Sequence, residues 1–329
     1  MPNNVVVSIP KARKRLSDVF IDYGIYTSVV LLFFAFGLFF PQAFFSITNV
    51  RNILVSASVV GTMAIGMTFV ILTANIDLSV GSAAYFAVAL GVLAVKRAGW
   101  HPLLGILIIV ATAIGIGAFN GLQISRLKMV PLIATLASLG IFRGLALQFT
   151  DAASIYGMPP IISRIGIGYV GSVPIPIIML FVLYILAYYI LEKTRFGTYV
   201  YAVGGDREAA FKAGINVSNI ILYVYLLHGF FVGMASLILC ARMDGVVPAL
   251  GAGMEFDVIT AVILGGTSFS GGVGNIWGTL AGAIIITLIN TALTILNVSA
   301  FYYDIFKGTV ILLAVILDTF RQRRKGIIV

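Results

Sequence analysis

The run from Gly61 to Ser82 reads GTMAIGMTFVILTANIDLSVGS: an apolar stretch of bilayer length meets an Asn-Ile-Asp-Leu-Ser turn and leaves as a second apolar stretch. A carboxylate in such a place is costly unless it sits at a membrane boundary or serves a pathway through the protein. This constrains the chain to a polytopic membrane protein with a moving or ligand-facing part.

Composition excludes the main alternative. Hydrophobic residues make up 60% of the 329 residues and charged residues only 10%, whereas soluble domains carry roughly a quarter charged residues. No polar stretch is long enough for a separate globular domain of roughly 50 residues. The reading is a short segment 1–22, one transmembrane domain 23–320 and a basic tail 321–329. The net charge of +9 does not point to nucleic acid, because the cations flank apolar runs. Lys11, Arg13, Lys14 and Arg15 precede the first run, and Arg321, Arg323, Arg324 and Lys325 follow the last. Arg126 with Lys128, and Lys193, Arg195, Arg207 and Lys212, fall in two interior loops. That pattern marks cytoplasmic loops and places both termini in the cytoplasm. The first run, 23–40, is longer than a signal-peptide core and lacks a small-residue cleavage site, so it is read as a retained anchor. Cys240 alone offers neither a disulfide framework nor a metal site.

A spanning helix needs about 20 mostly apolar residues. Candidate spans are 23–40, 52–73, 79–95, 102–124, 131–149, 174–191, 217–240, 255–269, 275–296 and 303–320. The expected fold class is therefore all-α, with about ten transmembrane helices and broken or half helices near 74–81 and 255–272. The 255–269 run, short and followed by Gly265-Gly266, is either a short helix or a half-helix that dips in and returns. An even number of crossings leaves Arg51, Lys96, Arg97 and Arg164 outside, against the charge bias. Glycines recur four apart at 117 and 121, 140 and 144, 229 and 233, and 274, 278 and 282. In lipid they let helices approach closely, either as fixed packing or as a sliding seam. Arg143 is expected to snorkel or to pair with a carboxylate, and His228 to be a satisfied intramembrane histidine without metal-ligand companions.

Residues 192–216 read EKTRFGTYVYAVGGDREAAFKAGIN, the longest polar interior segment. Asp206 can cap a short helix with Glu208 in its first turn and Gly214 as its stop. Ala209, Ala210 and Ala213 give it a narrow face that suits docking into a groove of another protein. A plain solvated loop is the alternative.

Several blocks, in this order, resemble the permease subunits of ribose-type sugar importers of the ATP-binding cassette class. They are NIDLSVGS at 75–82, FNG at 119–121, PLIATLASLGIFRGLA at 131–146, TRFGTYVYAVGGDREAAFKAGI at 194–215, GMEFDVITAVILGGTSFSGGVG at 253–274 and GTLAGA at 278–283. Where that family shows a pair of glycines before Ile-Asp-Leu-Ser, this chain has Ala74 and Asn75, and Asp206 stands where the family often has Asn.

The resemblance implies a multi-pass protein of a bacterial-type inner membrane, paired with a second permease subunit as a homodimer or heterodimer. It implies cytoplasmic ATPase subunits that carry ATP and Mg, a periplasmic or extracellular sugar-binding protein, no cofactor on this chain and no nucleic acid. Gly204, Gly205, Asp206, Ala209, Ala210 and Gly214 are the implied ATPase-coupling contacts. Asn75, Asp77, Ser79, Gly81, Asn120, Gly265 and Gly266 are the candidates for hinge and translocation pathway. Asp77 and Ser79 would cap the helix that starts near Leu78 or contact sugar hydroxyls. Arg164, Arg242, Asp244, Tyr302 and Tyr303 are candidates to meet the binding protein. The chain carries no phosphate-binding loop of the Gly-x-x-x-x-Gly-Lys-Ser/Thr kind, since its only Lys-Thr pair, Lys193-Thr194, follows Ile190-Leu191-Glu192. It is therefore read as a transport subunit working by alternating access, not an enzyme. The rival reading is an ion-coupled secondary transporter of a small polar solute, for which Asp77 has no symmetric counterpart. An intramembrane enzyme lacks a cluster of acids and histidine in one segment.

Overall fold

The computed structural model describes residues 16–299 together with 302, 303, 305, 307–310, 312 and 316. The apolar runs form helices α1 (Leu16–Phe39), α2 (Pro41–Phe44), α3 (Ile47–Leu72), α4 (Val80–Lys96), α5 (Pro102–Ser125) and α6 (Pro131–Thr150). Strand β1 (Ile155–Tyr156), α7 (Pro160–Ile167), β2 (Tyr169–Val170) and β3 (Val173–Pro174) follow before α8 (Ile175–Lys193). Then come α9 (Arg195–Gly205), α10 (Arg207–Lys212), α11 (Val217–Arg242), β4 (Gly245–Val246), α12 (Met254–Leu264) and α13 (Ile276–Ile295). The all-α membrane class holds, and the only strands among the described residues are two-residue ribbons, β1 with β4 and β2 with β3.

Local chemistry sets the helix starts. Ser46, Asn216 and Asn275 each accept a hydrogen bond from a backbone N–H in the first turn of α3, α11 and α13. Proline opens α5, α6 and α7, where its missing N–H is no loss.

Among the described residues six helices, α3, α5, α6, α8, α11 and α13, are long and apolar enough to cross a bilayer. α4 is shorter, and so is the apolar part of α1, Gly24–Phe39. α12, expected over 255–269, stops at Leu264; its 11 residues reach about 16 Å, half a bilayer core. α1 begins at Leu16, inside the segment 1–22 expected to precede the first span. The 303–320 run falls largely, and the basic tail wholly, outside the described residues.

α3 and α11 are mostly buried and form the centre, with α5 against α11 and α13 against α3. Gly117 of α5 faces Gly229 and the Tyr225 carbonyl, and Gly233 faces Val110 and Ala113, so these glycines bring α5 and α11 into close backbone contact. Nothing lies within 4 Å of a Cβ built on Gly140 or Gly144, on the outward-facing α6.

Candidate functional site

Three helices end alike near one end of the bundle. After α3, Ala74 N–H donates to Ile71 O (2.9 Å) and Asn75 N–H to Val70 O (3.2 Å). After α10, Gly214 bonds Phe211 O and Ile215 bonds Ala210 O; after α12, Gly266 bonds Ile263 O and Thr267 bonds Val262 O. Each is a paired closure with a left-handed residue at its hinge, Ala74 (φ 54), Gly214 (φ 85) and Gly266 (φ 88). The chain thus turns sharply at three places instead of fraying.

The first turn leads into a buried polar cluster. Asp77 Oδ1 accepts from Ser79 N (2.7 Å) and Ser79 Oγ (2.6 Å). Asn120 on α5 donates to Asp77 Oδ2 (3.2 Å) and Ser79 Oγ (2.8 Å), and Ser138 on α6 donates to Asn120 Oδ1. His228 Nε2 on α11 stands 3.6 Å from Asp77 Oδ2, and neither ring nitrogen has a hydrogen-bond partner. Asp77, Ser79, Asn120, Ser138 and His228 are all buried. Beside them Tyr225 donates to Ile76 O (2.9 Å). Asp77, Ser79 and Asn120 therefore come together, but Asp77 and Ser79 do not form the helix cap expected of them. α4 starts at Val80, Ser79 makes no side-chain cap bond, and Asp77 closes a turn one residue earlier. His228 is less well satisfied than anticipated, because Gly66 packs on its Nδ1 side and Asp77 Oδ2 stands beyond hydrogen-bond distance of Nε2.

The α3 closure is held by the α9–α10 junction and by the glycine segment that follows α12. Arg207, the first residue of α10, donates from Nη2 to Thr73 O (2.9 Å), Asn75 Oδ1 (3.0 Å) and Ala74 O (3.3 Å). Gly272 N–H donates to Leu72 O (2.9 Å). A Cβ on Gly204 would collide with that same carbonyl and come within 2.6 Å of Gly272 N, so only glycine lets α9 lie on the end of α3. Tyr201 of α9 has its hydroxyl within reach of Gly274 O (2.9 Å) and Glu192 Oε1 (2.8 Å). Burial first, then the Glu192 carboxylate, push that phenol far above its ordinary range, so it stays a donor. Gly81 lies against the Gly251 carbonyl, and Gly265 against Gly278 of α13.

The α10 helix has two sides. Asp206 caps it, accepting from Glu208 N (2.9 Å) and Ala209 N (3.0 Å). Ala210 is 4% exposed and packs into the chain's own core, so it cannot face a partner. Glu208, Ala209 and Phe211 are exposed, as are Gly205 and Gly214. Phe211, 71% exposed, escaped the sequence reading. An open cleft of about 760 Å³ runs beside it, lined by Lys128, Arg207 and Ser218 among others. Arg126 and Lys128 hold Asn219 and Ser218 at the start of α11, tying the α5–α6 turn to this end.

Elsewhere Arg143 departs from expectation: it bonds the Pro248 (2.8 Å) and Leu250 (3.3 Å) carbonyls and lies over the Tyr85 ring, where no snorkelling is needed. Asp244 accepts from Gly157 N, Met158 N and Ser163 Oγ and so clips α7 to α11. Arg242 reaches Val55 O, Tyr303 pairs with Thr294, and Arg164 and Tyr302 are exposed. A charge cluster also went unnoticed in the sequence: Lys307 meets Asp257 at 3.0 Å, with both side chains largely buried. The signal was there, an acid pair at 255 and 257 heading an apolar run. Among the described residues no three His, Cys, Asp or Glu groups converge as a metal site.

The chain matches the family described as branched-chain amino acid transport system / permease component over residues 49–315. It is 37% identical over 317 residues to the ribose import permease protein RbsC of Haemophilus influenzae, covering 94% of this chain and 97% of that one. It is 42% identical to the RbsC of Bacillus subtilis, over 82% of this chain and 84% of the relative. The D-allose transport system permease protein AlsC of Escherichia coli is 35% identical, covering 90% and 91%. No solved structure matches.

Proposed function

Because the chain belongs to the branched-chain amino acid transport system / permease component family, we propose that it is the membrane-embedded subunit of an ATP-driven importer of a monosaccharide or related polyol. The observation that carries this is likeness along nearly the whole length of permeases named for ribose and allose. α9 and α10 serve as the element that receives force from a cytoplasmic ATPase, which holds ATP and Mg. The exposed side of α10 makes that contact through Glu208, Ala209 and Phe211, with Gly205, Asp206 and Gly214 shaping the turn. A helix with one face in the core and one face free suits a lever better than a tether.

Alternating access then consists of rocking the helices joined at the 73–79 break, with a sugar-binding protein delivering substrate at the α7 end. Ten passes in an inner membrane, with both termini cytoplasmic, require α1, α4, the broken α12 and the 303–320 run to cross beside the six long helices. A second permease subunit completes the pathway; the outward α6 face, open at Gly140 and Gly144, is available to it. The test is co-purification from native membranes with identification of the bound subunits and of the binding protein's ligand. An ATPase, a second permease and a monosaccharide are expected; a complex lacking any ATPase contradicts the reading.

A further inference from the structure

We infer that Arg207 is the positioning residue that carries motion from α10 into the membrane domain, by gripping the turn between α3 and α4. This rests on the reading that α10 receives the push of an ATPase. One guanidinium nitrogen faces Thr73 O, Ala74 O and Asn75 Oδ1 at 2.9, 3.3 and 3.0 Å. The Asn75 amide is itself held by Thr73, donating to Thr73 O (3.1 Å) and Oγ1 (2.8 Å). The grip therefore acts on a stiffened turn rather than on one loose side chain.

Two residues further on, that turn holds Asp77, which is bonded to α5 through Asn120 and faces α11 through His228. Ser138 extends the same network to α6. Arg207 thus stands at one end of the short 73–79 turn, and the cluster linking four helices stands at the other, with the backbone through Ile76 joining them. Around the end of α3 the other contacts are backbone packing at Gly204, the Gly272 N–H bond to Leu72 O and the stacking of Phe196 on Phe69, and none of them brings a charged side chain to the turn. Hydrogen bonds from a charged donor resist pull as well as push and are directional in space. Arg207 was visible in the sequence only as one basic loop residue, because its acceptors lie more than a hundred residues earlier.

The test uses the assembled transporter in proteoliposomes, with its ATPase and binding protein, comparing wild type, Arg207→Lys, Arg207→Gln and Asn75→Gly. Cys240 is buried, so a Leu78→Cys background offers one half-buried thiol beside the break, whose exposure a movement of the turn would change. With the native Arg207 in that background, nucleotide changes the rate at which the introduced thiol reacts with a water-soluble maleimide. In Arg207→Gln that change is lost and sugar uptake per ATP hydrolysed falls at least tenfold, while ATPase subunits still co-purify. Arg207→Lys, a point charge in place of a fork, falls between. A nucleotide-dependent labelling change and an uptake ratio like wild type in Arg207→Gln overturn the inference, as does loss of ATPase binding, which makes Arg207 a docking residue. If Arg207→Gln does not fold, Asn75→Gly decides: removing one of three acceptors lowers the uptake ratio two- to threefold, and an unchanged ratio overturns the inference. If wild-type vesicles accumulate no sugar with ATP, the permease reading falls and takes this inference with it.

Discussion

Ala74 sits at φ 54 in the closure of α3, a place that glycine occupies in the corresponding closures of α10 and α12. An alanine there carries roughly 1–2 kcal/mol of steric cost, partly offset because glycine gives a freer unfolded chain, worth about 0.4–1 kcal/mol. Ala74→Gly is therefore expected to stabilise the protein by about 0.5–1 kcal/mol, read as a higher Tm of the purified protein in detergent. It also frees the turn that Arg207 holds, so coupling should not improve with stability. At Asp77 both carboxylate oxygens are engaged, and Asp77→Ala strands the Ser79 N–H and one Asn120 N–H in a buried site. Unpaired buried donors cost about 1–3 kcal/mol each, so a loss of roughly 2–4 kcal/mol is expected in thermal unfolding. Asp77→Asn keeps the Ser79 bonds but turns its amide toward that of Asn120. It should fold and transport poorly, a split that uptake assays on membranes matched for protein amount would measure.

Elements divide into those that pack and those that present. α10 does both, and neighbouring alanines report each job separately. Ala210→Arg drives a charge into the core and is expected to abolish folded protein, whereas Ala209→Arg leaves the fold intact and blocks ATPase co-purification. Likewise Gly229→Leu collides with the Ala113 and Ile114 backbone and should prevent α5 from closing on α11, while Gly140→Leu meets nothing within the chain. Monodispersity and Tm in detergent distinguish the two. Much of this division was legible. Long apolar runs placed α3, α5, α6, α8, α11 and α13 to within a few residues, because a bilayer fixes helix length and backbone groups have no solvent to turn to. The cap at Asp206 and the stop at Gly214 were local chemistry and read correctly. Which face of α10 turns inward, what Arg143 and Arg207 touch, and the ribbons and α7 between α6 and α8 depend on contacts distant in sequence. The half-length of α12 was signalled by Gly265-Gly266, but apolarity alone did not say where the helix ends.

At the scale of the whole molecule, the centre made by α3 and α11 is reached from both kinds of surface. From the α10 end a charged fork enters at the 73–79 turn. From the sides α5 and α13 lean on it through small residues and buried hydroxyls such as the Thr68–Thr279 pair at 2.8 Å. Near the start of α12, Glu255 lies within electrostatic reach of Arg143, Asp257 and Lys307, a second place where charge is held inside an apolar domain. Such groups are retained in membranes where they serve a pathway or pin moving parts. On the proposed reading, chemical energy enters from a separate ATPase rather than from an ion gradient through Asp77. The most direct measurement is radiolabelled sugar accumulation in proteoliposomes carrying the complete transporter, with the ATPase either intact or disabled in its hydrolytic site. Accumulation above the external concentration is expected only with the intact ATPase and ATP, and to be indifferent to ionophores. Accumulation that survives the disabled ATPase and vanishes with ionophores would contradict it.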